Sequence, residues 1–228
     1  LQHGGLPELF HLLSEETKTH YTRSLKDTIL YKDIVQRYKI KDAVLLEDIF
    51  RFLCDNIGNL TSIMNIVNYL KNKRTTTNYE TVSNYISYLK QTYLIHEVER
   101  YDIKGKELLS GTRKYYLNDL AFRKYMIPSF GFGLSGNLEN AVYLHFKSLG
   151  YNVYAGAMRN REIDFVIEKN NEKKYIQVCY SLSDEDVIKR EFGNLSFIHD
   201  NYEKMVITLD EVSFGEKDGI RHTCAWEL

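Results

Sequence analysis

The spacing of the apolar residues changes near residue 94, and this change limits the fold more than any other feature. Before it, apolar side chains recur every three to four residues, as on one face of a helix. After it, the segments "LIHEVERYD" and "RKYYLND" alternate apolar and polar residues, which is typical of half-buried strands. The sequence therefore predicts helices followed by strands, an α+β chain.

Four helices are predicted before the change of period. The first runs from about Glu15 to Tyr38, with Ser14 as its N-cap. Two more are predicted at "AVLLEDIFRFLCDNIGN" and "TSIMNIVNYLKNKR", and the fourth at "NYETVSNYISYLKQTYLI", capped by Asn78. Three helices followed by the strand–loop–strand segment 94–118 have the element order of a winged helix. The last helix would then be the recognition element and the segment 94–118 the wing.

A connector separates this region from the rest of the chain. The segment "AFRKYMIPSFGFGLSGN" contains Pro128 and three glycines, which interrupt regular structure. We therefore predict a helical region with a winged-helix domain in residues 1–128 and a second domain in residues 129–228. The second domain follows the order helix, three strands, helix, two strands, with Ser183 capping its second helix. That order predicts a small α/β domain around a mixed sheet.

Basic residues cluster around the predicted recognition helix and wing. Residues 71–114 contain nine Lys and Arg and five Asp and Glu, a local charge of +4. Contacts of such side chains with phosphates would give salt-sensitive and mostly sequence-independent binding of duplex DNA. Docking of a protein partner to the same surface is the alternative. The residues predicted to contact nucleic acid are Lys73, Arg74, Asn78, Tyr79, Ser83, Asn84, Ser87, Lys90, Lys104, Lys106, Arg113 and Lys114.

Polar residues of the second domain are predicted to converge on one point. Asp164 lies in the strand "EIDFVI", while Gln177 and Cys179 share one face of the next strand, "YIQVCY". If these strands pair, Asp164 approaches Gln177, and Glu139 on the preceding helix can lean over the same point. Two carboxylates and an amide oxygen can hold Mg²⁺. Alternatively, the three residues have no role in a site. Asp164 would then cap backbone groups or contact solvent, Glu139 would be an ordinary exposed helix residue, and Cys179 would be a small buried side chain.

This arrangement resembles the restriction-endonuclease-like PD-(D/E)XK fold, with "YIQVCY" in the place of the (D/E)-x-K strand. The resemblance matches at Glu139 and Asp164, but Gln177 replaces an acid and Cys179 replaces the lysine. In nucleases of this fold, metal ions polarise the scissile phosphate and activate water, and the lysine stabilises charge or orients that water. The resemblance therefore implies a catalytically degenerate site. An active endonuclease using Mg²⁺ is the alternative.

A wider resemblance covers almost the whole chain. The segment "GGLPEL", the three helices with the wing, "EIDFVI", and "QVCYSLSDED" with "REFGNL" together resemble a domain of unknown function. In predicted bacterial and archaeal ATPases, that domain is C-terminal to an AAA-type ATPase domain. The resemblance implies such an ATPase domain as a partner in the natural protein. This chain has no G-x-x-x-x-G-K-[ST] motif, so any ATP binding would belong to that other domain.

Composition is that of a folded cytoplasmic protein. Hydrophobic residues make up 43% and charged residues 27% of the chain, as is ordinary for folded domains. The cysteines Cys54, Cys179 and Cys224 are far apart, which predicts reduced thiols. No apolar run reaches the length of a membrane span, and neither a membrane nor a small-molecule substrate is an expected partner.

Three functions are therefore open. The first is a DNA-binding accessory module of an ATPase with a non-catalytic nuclease-like domain. The second is a metal-dependent endonuclease. The third is a protein-interaction or regulatory module that docks on the ATPase or on another partner.

Overall fold

The computed structural model describes residues 3–127, 133–159 and 161–228. It confirms the predicted α+β class, with seven α-helices and a mixed eight-stranded sheet among these residues. The helices are α1 (Glu15–Thr28), α2 (Ala43–Asp55), α3 (Ile63–Asn72), α4 (Tyr79–Gln91), α5 (Leu120–Met126), α6 (Leu134–Ser148) and α7 (Glu185–Ser196). The strands are β1 (Ile95–Asp102), β2 (Glu107–Leu117), β3 (Asn152–Met158), β4 (Arg161–Lys169), β5 (Glu172–Val178), β6 (Glu203–Thr208), β7 (Glu216–Lys217) and β8 (Ile220–Cys224).

The chain divides into two compact units. The first contains Leu1–Glu97 and Thr112–Phe132, and the second contains Val98–Gly111 and Gly133–Leu228. The hairpin of β1 and β2 thus contributes its base to the first unit and its tip to the second. The predicted boundary at residues 128 and 129 lies outside the described residues, and the division into independently folding domains there stays a prediction.

Local capping starts the helices of the first unit where the sequence predicts. The Ser14 hydroxyl accepts a hydrogen bond from the Thr17 amide at 3.1 Å, and the Asn78 side chain accepts one from the Thr81 amide at 2.9 Å. Both predicted N-caps are therefore confirmed. The predicted long first helix is not uniform, because α1 continues into a π-helix over Ile29–Gln36.

The helices α2, α3 and α4 enclose the core of the first unit and pack beside the base of the hairpin. Ile49, Ile66, Leu70 and Leu89 are completely buried in this core. Thr61, between α2 and α3, pairs with the hairpin as an isolated antiparallel bridge, because the Thr61 and Arg113 backbones exchange two hydrogen bonds of 2.8 Å. This exchange ties the loop between two helices to strand β2.

The segment "GGLPEL" packs against the start of α5. The Gly5 amide donates to the Asp119 carboxylate at 2.8 Å, and the other carboxylate oxygen caps α5 by accepting from the Ala121 amide at 2.7 Å. Gly4 has a φ of +79°, and a side chain there would collide with Asp119 and Ala121. Helix α5 itself lies in the predicted connector, so the prediction of irregular structure over its residues is wrong.

The second unit is built on a mixed sheet, as predicted. The strand order is β2-β1-β3-β4-β5-β6-β8-β7. β1 pairs with β3, β5 with β6 and β6 with β8 in parallel, while β3 with β4, β4 with β5 and β7 with β8 are antiparallel. Helix α6 packs on β3, β4 and β5, and α7 packs on β4, β5, β6 and β8.

Two local predictions need correction. Asp184, not Ser183, caps α7, since its carboxylate accepts from the Val187 amide at 2.9 Å and the helix begins at Glu185. Both residue types are good caps, so spacing alone does not choose between them. Strand β2 begins at Glu107, inside the predicted loop of the hairpin.

Gly156 is placed where a side chain would not fit. It lies at a shift of register between β3 and β4. A Cβ atom there would lie 2.8 Å from Ile163 Cβ, 3.0 Å from Val166 Cγ2 and 3.2 Å from Ile103 Cδ1. Close packing of these three side chains therefore requires glycine.

We expect Gly156→Ala to lower the free energy of unfolding by about 1–3 kcal/mol, because the added methyl group overpacks the core. Urea denaturation followed by circular dichroism measures the change. Gly193→Ala in α7 is the matched control, since a Cβ atom there meets nothing within 4 Å. It should raise stability by up to about 1 kcal/mol through helix propensity. Equal stability of Gly156→Ala and the unaltered protein would contradict this packing.

Candidate functional site

Asp164 and Gln177 meet where the ladder between β4 and β5 ends. The last backbone pair of this ladder is Phe165 with Ile176. Beyond it, the Val178 amide donates to the Asp164 carboxylate at 2.8 Å, and the Asp164 amide donates to the Gln177 side-chain oxygen at 3.4 Å. Side chains therefore continue the hydrogen bonding where the two backbones separate. The structure brings these two predicted site residues together.

An open concavity of about 470 Å³ surrounds this point. Its lining also contains residues that sequence reasoning missed: Arg161, Glu162, Arg190 and Asn194. Glu162 precedes Asp164 by two residues, so strand alternation places both acids on one face. Arg190 and Asn194 are four residues apart on α7, which places them on one face of that helix. These spacings are visible in the sequence, but the contact of α7 with β4 is not.

The structure places Glu139 and Cys179 outside the described lining of this concavity. Glu139 is half-buried on α6 and is not among the described residues that line the concavity. Cys179 is 5% exposed, and its amide donates to the Ile207 carbonyl. Burial raises the pKa of the Cys179 thiol to about 12, and the carboxylates of Glu191, Asp210 and Asp164 act in the same direction. The thiol is therefore neutral near pH 7 and supplies no positive charge.

Two arginines at the concavity are oriented by α7. The Arg161 guanidinium donates to the Asn194 side-chain oxygen at 3.0 Å, and its central carbon lies 3.9 Å from the centre of the Phe197 ring. Arg190 donates two hydrogen bonds, of 2.9 and 2.6 Å, to one carboxylate oxygen of buried Glu191. This contact raises the pKa of Arg190. The concavity thus combines two acids with two fixed cations.

The available metal ligands are few. Asp164 and Gln177 can offer a carboxylate and an amide oxygen at one point, the donor types that Mg²⁺ prefers. In the parts of the chain that the structure describes, no three His, Cys, Asp or Glu side chains form a group able to hold a metal ion. Coordination by Glu139, Asp164 and Gln177 together stays a prediction.

The predicted nucleic-acid surface of the first unit is mostly exposed around the start of α4. Lys73 and Arg74 precede the helix, and Tyr79, Asn84 and Ser87 are exposed on it, while Ser83 is half-buried. Asn78 is exposed but uses its side-chain oxygen as the helix cap.

Several basic residues predicted for this surface have other roles. Lys90 forms a 2.7 Å ion pair with Glu97. Arg113 is half-buried beside its backbone pairing with Thr61. Lys114 is only 1% exposed, which corrects its predicted place on the surface, because strand alternation alone does not tell which face is covered. Lys104 and Lys106 are exposed in the hairpin tip, which belongs to the second unit.

Fold and site together define an α+β protein with a helical unit and a mixed-sheet unit. Residues 1–133 match a family described as "Domain of unknown function (DUF8612)", and since these are more than half of the chain, the chain belongs to this family.

Two curated relatives are similar over most of the chain. An uncharacterized protein of Haemophilus influenzae is 33% identical over 219 residues, which cover 96% of this chain and 54% of that protein. The uncharacterized protein MJ1544 of Methanocaldococcus jannaschii is 29% identical over 192 residues, covering 81% of this chain and 42% of that protein. The chain therefore spans about half the length of the curated relatives it matches. No solved structure matches it.

Among the described helices, none combines the length and the apolar character needed to cross a membrane.

The thiols should be unreactive in the folded protein. Cys54, Cys179 and Cys224 are all buried, and burial raises the pKa of each thiol. A raised pKa leaves almost no thiolate at pH 8, and the thiolate is the reactive form. We expect iodoacetamide at pH 8 to modify all three in urea and almost none in the native protein, as read by mass spectrometry. Rapid native labelling of Cys179 would contradict its placement.

Removing the Asp164 carboxylate should destabilise the second unit. In Asp164→Ala the Val178 amide loses its acceptor, and we expect a loss of about 1–2 kcal/mol in the free energy of unfolding. Asp164→Asn keeps a side-chain oxygen and should lose less. Urea denaturation of both variants, with and without 5 mM Mg²⁺, measures how much the Asp164 carboxylate contributes to the free energy of unfolding. Unchanged stability of Asp164→Ala would show that the hydrogen bond does not matter.

Proposed function

We propose that this chain is a DNA-binding accessory module of an AAA-type ATPase. In this proposal the first unit binds duplex DNA as a winged helix. The second unit is a nuclease-like domain that does not cleave. The proposal rests on the geometry of the two units and on the length of the relatives.

The observation that carries the proposal is the pairing of Thr61 with Arg113. Both hydrogen bonds of this pair are 2.8 Å long. They join the loop between α2 and α3 to β2, so the first unit combines three helices with an isolated β-bridge and the base of a hairpin. This combination supports a winged helix in which α4 is the recognition helix.

The surface chemistry around α4 supports DNA as the ligand. Lys73 and Arg74 lie where the chain enters the helix, and basic residues there can meet phosphates. Tyr79, Asn84 and Ser87 present polar groups along the exposed side of α4. Helix α4 contains no arginine, which favours contacts to the DNA backbone over base-specific recognition.

The chemistry around Asp164 supports a domain that does not cleave. One Asp164 oxygen is occupied by the Val178 amide, and Gln177 is neutral. Cys179, which the resemblance aligns with the catalytic lysine, is a buried neutral thiol. The charge that would activate water or stabilise the leaving group is therefore weaker than in an active nuclease.

The link to an ATPase rests on the resemblance described above and on length. The chain covers 54% and 42% of the two curated relatives, which leaves room for another domain in each. In this proposal that domain binds ATP and works with the module on DNA.

DNA binding should depend strongly on salt. If about four phosphates are contacted, the affinity should fall about 100-fold between 50 and 200 mM salt. Fluorescence anisotropy with a labelled duplex of random sequence measures this dependence. No binding even at 50 mM salt would overturn the DNA proposal in favour of protein docking.

A charge reversal should locate the DNA surface. We expect Lys73→Glu to weaken duplex binding about fivefold or more at 100 mM salt, since it replaces a phosphate contact by repulsion. Lys217→Glu is the matched control, because Lys217 is exposed on β7 of the second unit. Equal losses in both variants would mean that only net charge matters and would count against the α4 surface.

Incubation with supercoiled plasmid and Mg²⁺ or Mn²⁺ tests whether the second unit cleaves DNA. We expect no cleavage above the background of the Asp164→Asn variant. Cleavage by the unaltered protein that disappears in Asp164→Asn would make the chain a metal-dependent endonuclease.

A further inference from the structure

A cleft of about 680 Å³ in the second unit combines an apolar floor with a cationic rim. Three segments form it: the turn after β1, the end of β3 with the start of β4, and the residues that follow α7. All three belong to the second unit. The volume lies in the range of pockets that bind small ligands.

The rim concentrates positive charge on a unit that is negative as a whole. Lys104, Lys106, Arg159 and Arg161 line the cleft. Residues 98–111 and 133–228 together contain 14 Lys and Arg against 19 Asp and Glu, a net charge of −5. Four cations at one cleft therefore go against the average charge of their surroundings and would attract an anion.

The carboxylate at the cleft is already engaged. Asp200 accepts a hydrogen bond of 2.6 Å from the Tyr175 hydroxyl, and Lys204 lies 3.5 Å from its other oxygen. Among the described residues, none of the four rim side chains has a carboxylate within the 4.0 Å of an ion pair. Their charges are thus available to a ligand.

Arg161 is held ready for such a ligand. Its guanidinium packs over the Phe197 ring and donates one hydrogen bond to the neutral Asn194 side chain. A guanidinium has five N–H donors, so most of them stay available. A fixed guanidinium of this kind suits bidentate binding of a phosphate.

The floor suits a flat apolar group. Ile103 and Ile198 are 8% and 5% exposed at the cleft, and half-buried Met158 lies beside them. Aliphatic and thioether side chains pack well against the face of an aromatic ring. A ligand with a planar ring and a phosphate would use the floor and the rim together.

We propose that this cleft binds a nucleotide, with the base on the floor and the phosphate at Arg161 and the rim lysines. The nucleotide is either free or one unit of a single strand, since both present the same base and phosphate. This site goes beyond the proposed function, because it lies in the second unit and requires no duplex contact by α4.

The experiment is isothermal titration of the full 228-residue chain with three probes in metal-free buffer: AMP, inorganic phosphate and the oligonucleotide dT10. We expect AMP or dT10 to bind, and inorganic phosphate to bind at least about tenfold more weakly, because stacking adds affinity only when a base is present. Competition separates the two sources: a site that prefers AMP takes a free nucleotide, and one that prefers dT10 takes a strand.

Substitutions at the cleft test whether the probes bind there. Arg161→Gln should weaken binding of the preferred probe about tenfold or more, and Lys106→Gln should weaken it measurably, since both remove charged donors to a phosphate. Lys217→Gln, an equal loss of charge on exposed β7, should change it less than about twofold. Circular dichroism melts confirm that each variant is folded.

Three results would overturn the site. These are the absence of binding by both AMP and dT10 at millimolar concentration, displacement by inorganic phosphate as effective as by AMP, and equal losses in Lys217→Gln and Arg161→Gln. The plasmid and duplex assays can fail without affecting this outcome, because neither probes the cleft with a single nucleotide.

Discussion

The parallel pairing of β1 with β3 joins the β1–β2 hairpin to the sheet of the second unit. Arg100–Asp102 pair with Ala155–Ala157, and Tyr101 lies opposite Gly156. Because Gly156 has no side chain, Ile163 and Ile103 can close over it. This pairing makes the hairpin tip an integral part of the sheet. The backbone of Lys104 and Lys106, which follow β1, is thereby held at the cleft.

The features of the fold that the sequence predicts are those set by nearby residues. Ser14 and Asn78 cap their helices through amides three residues away, so a short pattern is enough to find them. The cap of helix α5 is equally local, since Asp119 accepts from the Ala121 amide, but Pro128 and the glycines that follow directed the prediction to irregular structure. Only the contact of Asp119 with Gly5, 114 residues earlier in the chain, is non-local. The pairing of β1 with β3 is non-local in the same way, and no period in the sequence indicates it.

In the candidate site, too, the contacts between nearby residues are predictable from the sequence and those between distant residues are not. The approach of Asp164 to Gln177 follows from alternation on two strands joined by a tight turn, which is a local relation. Glu162 obeys the same alternation and could have been found with it. Arg190 and Asn194 reach the site only because α7 packs across β4 and β5, a contact that one sequence does not reveal.

The charges around Asp164 connect the two proposals for the second unit. A metal-dependent nuclease surrounds its metal with acids, and the metal then meets the phosphate. Here Gln177 and Cys179 are neutral, while Arg161 lines both the concavity at Asp164 and the cationic cleft. With fewer negative charges to repel it, a phosphate can be held by guanidinium groups directly. The neutral side chains of Gln177 and Cys179 would thus favour a site that binds a nucleotide without cutting it.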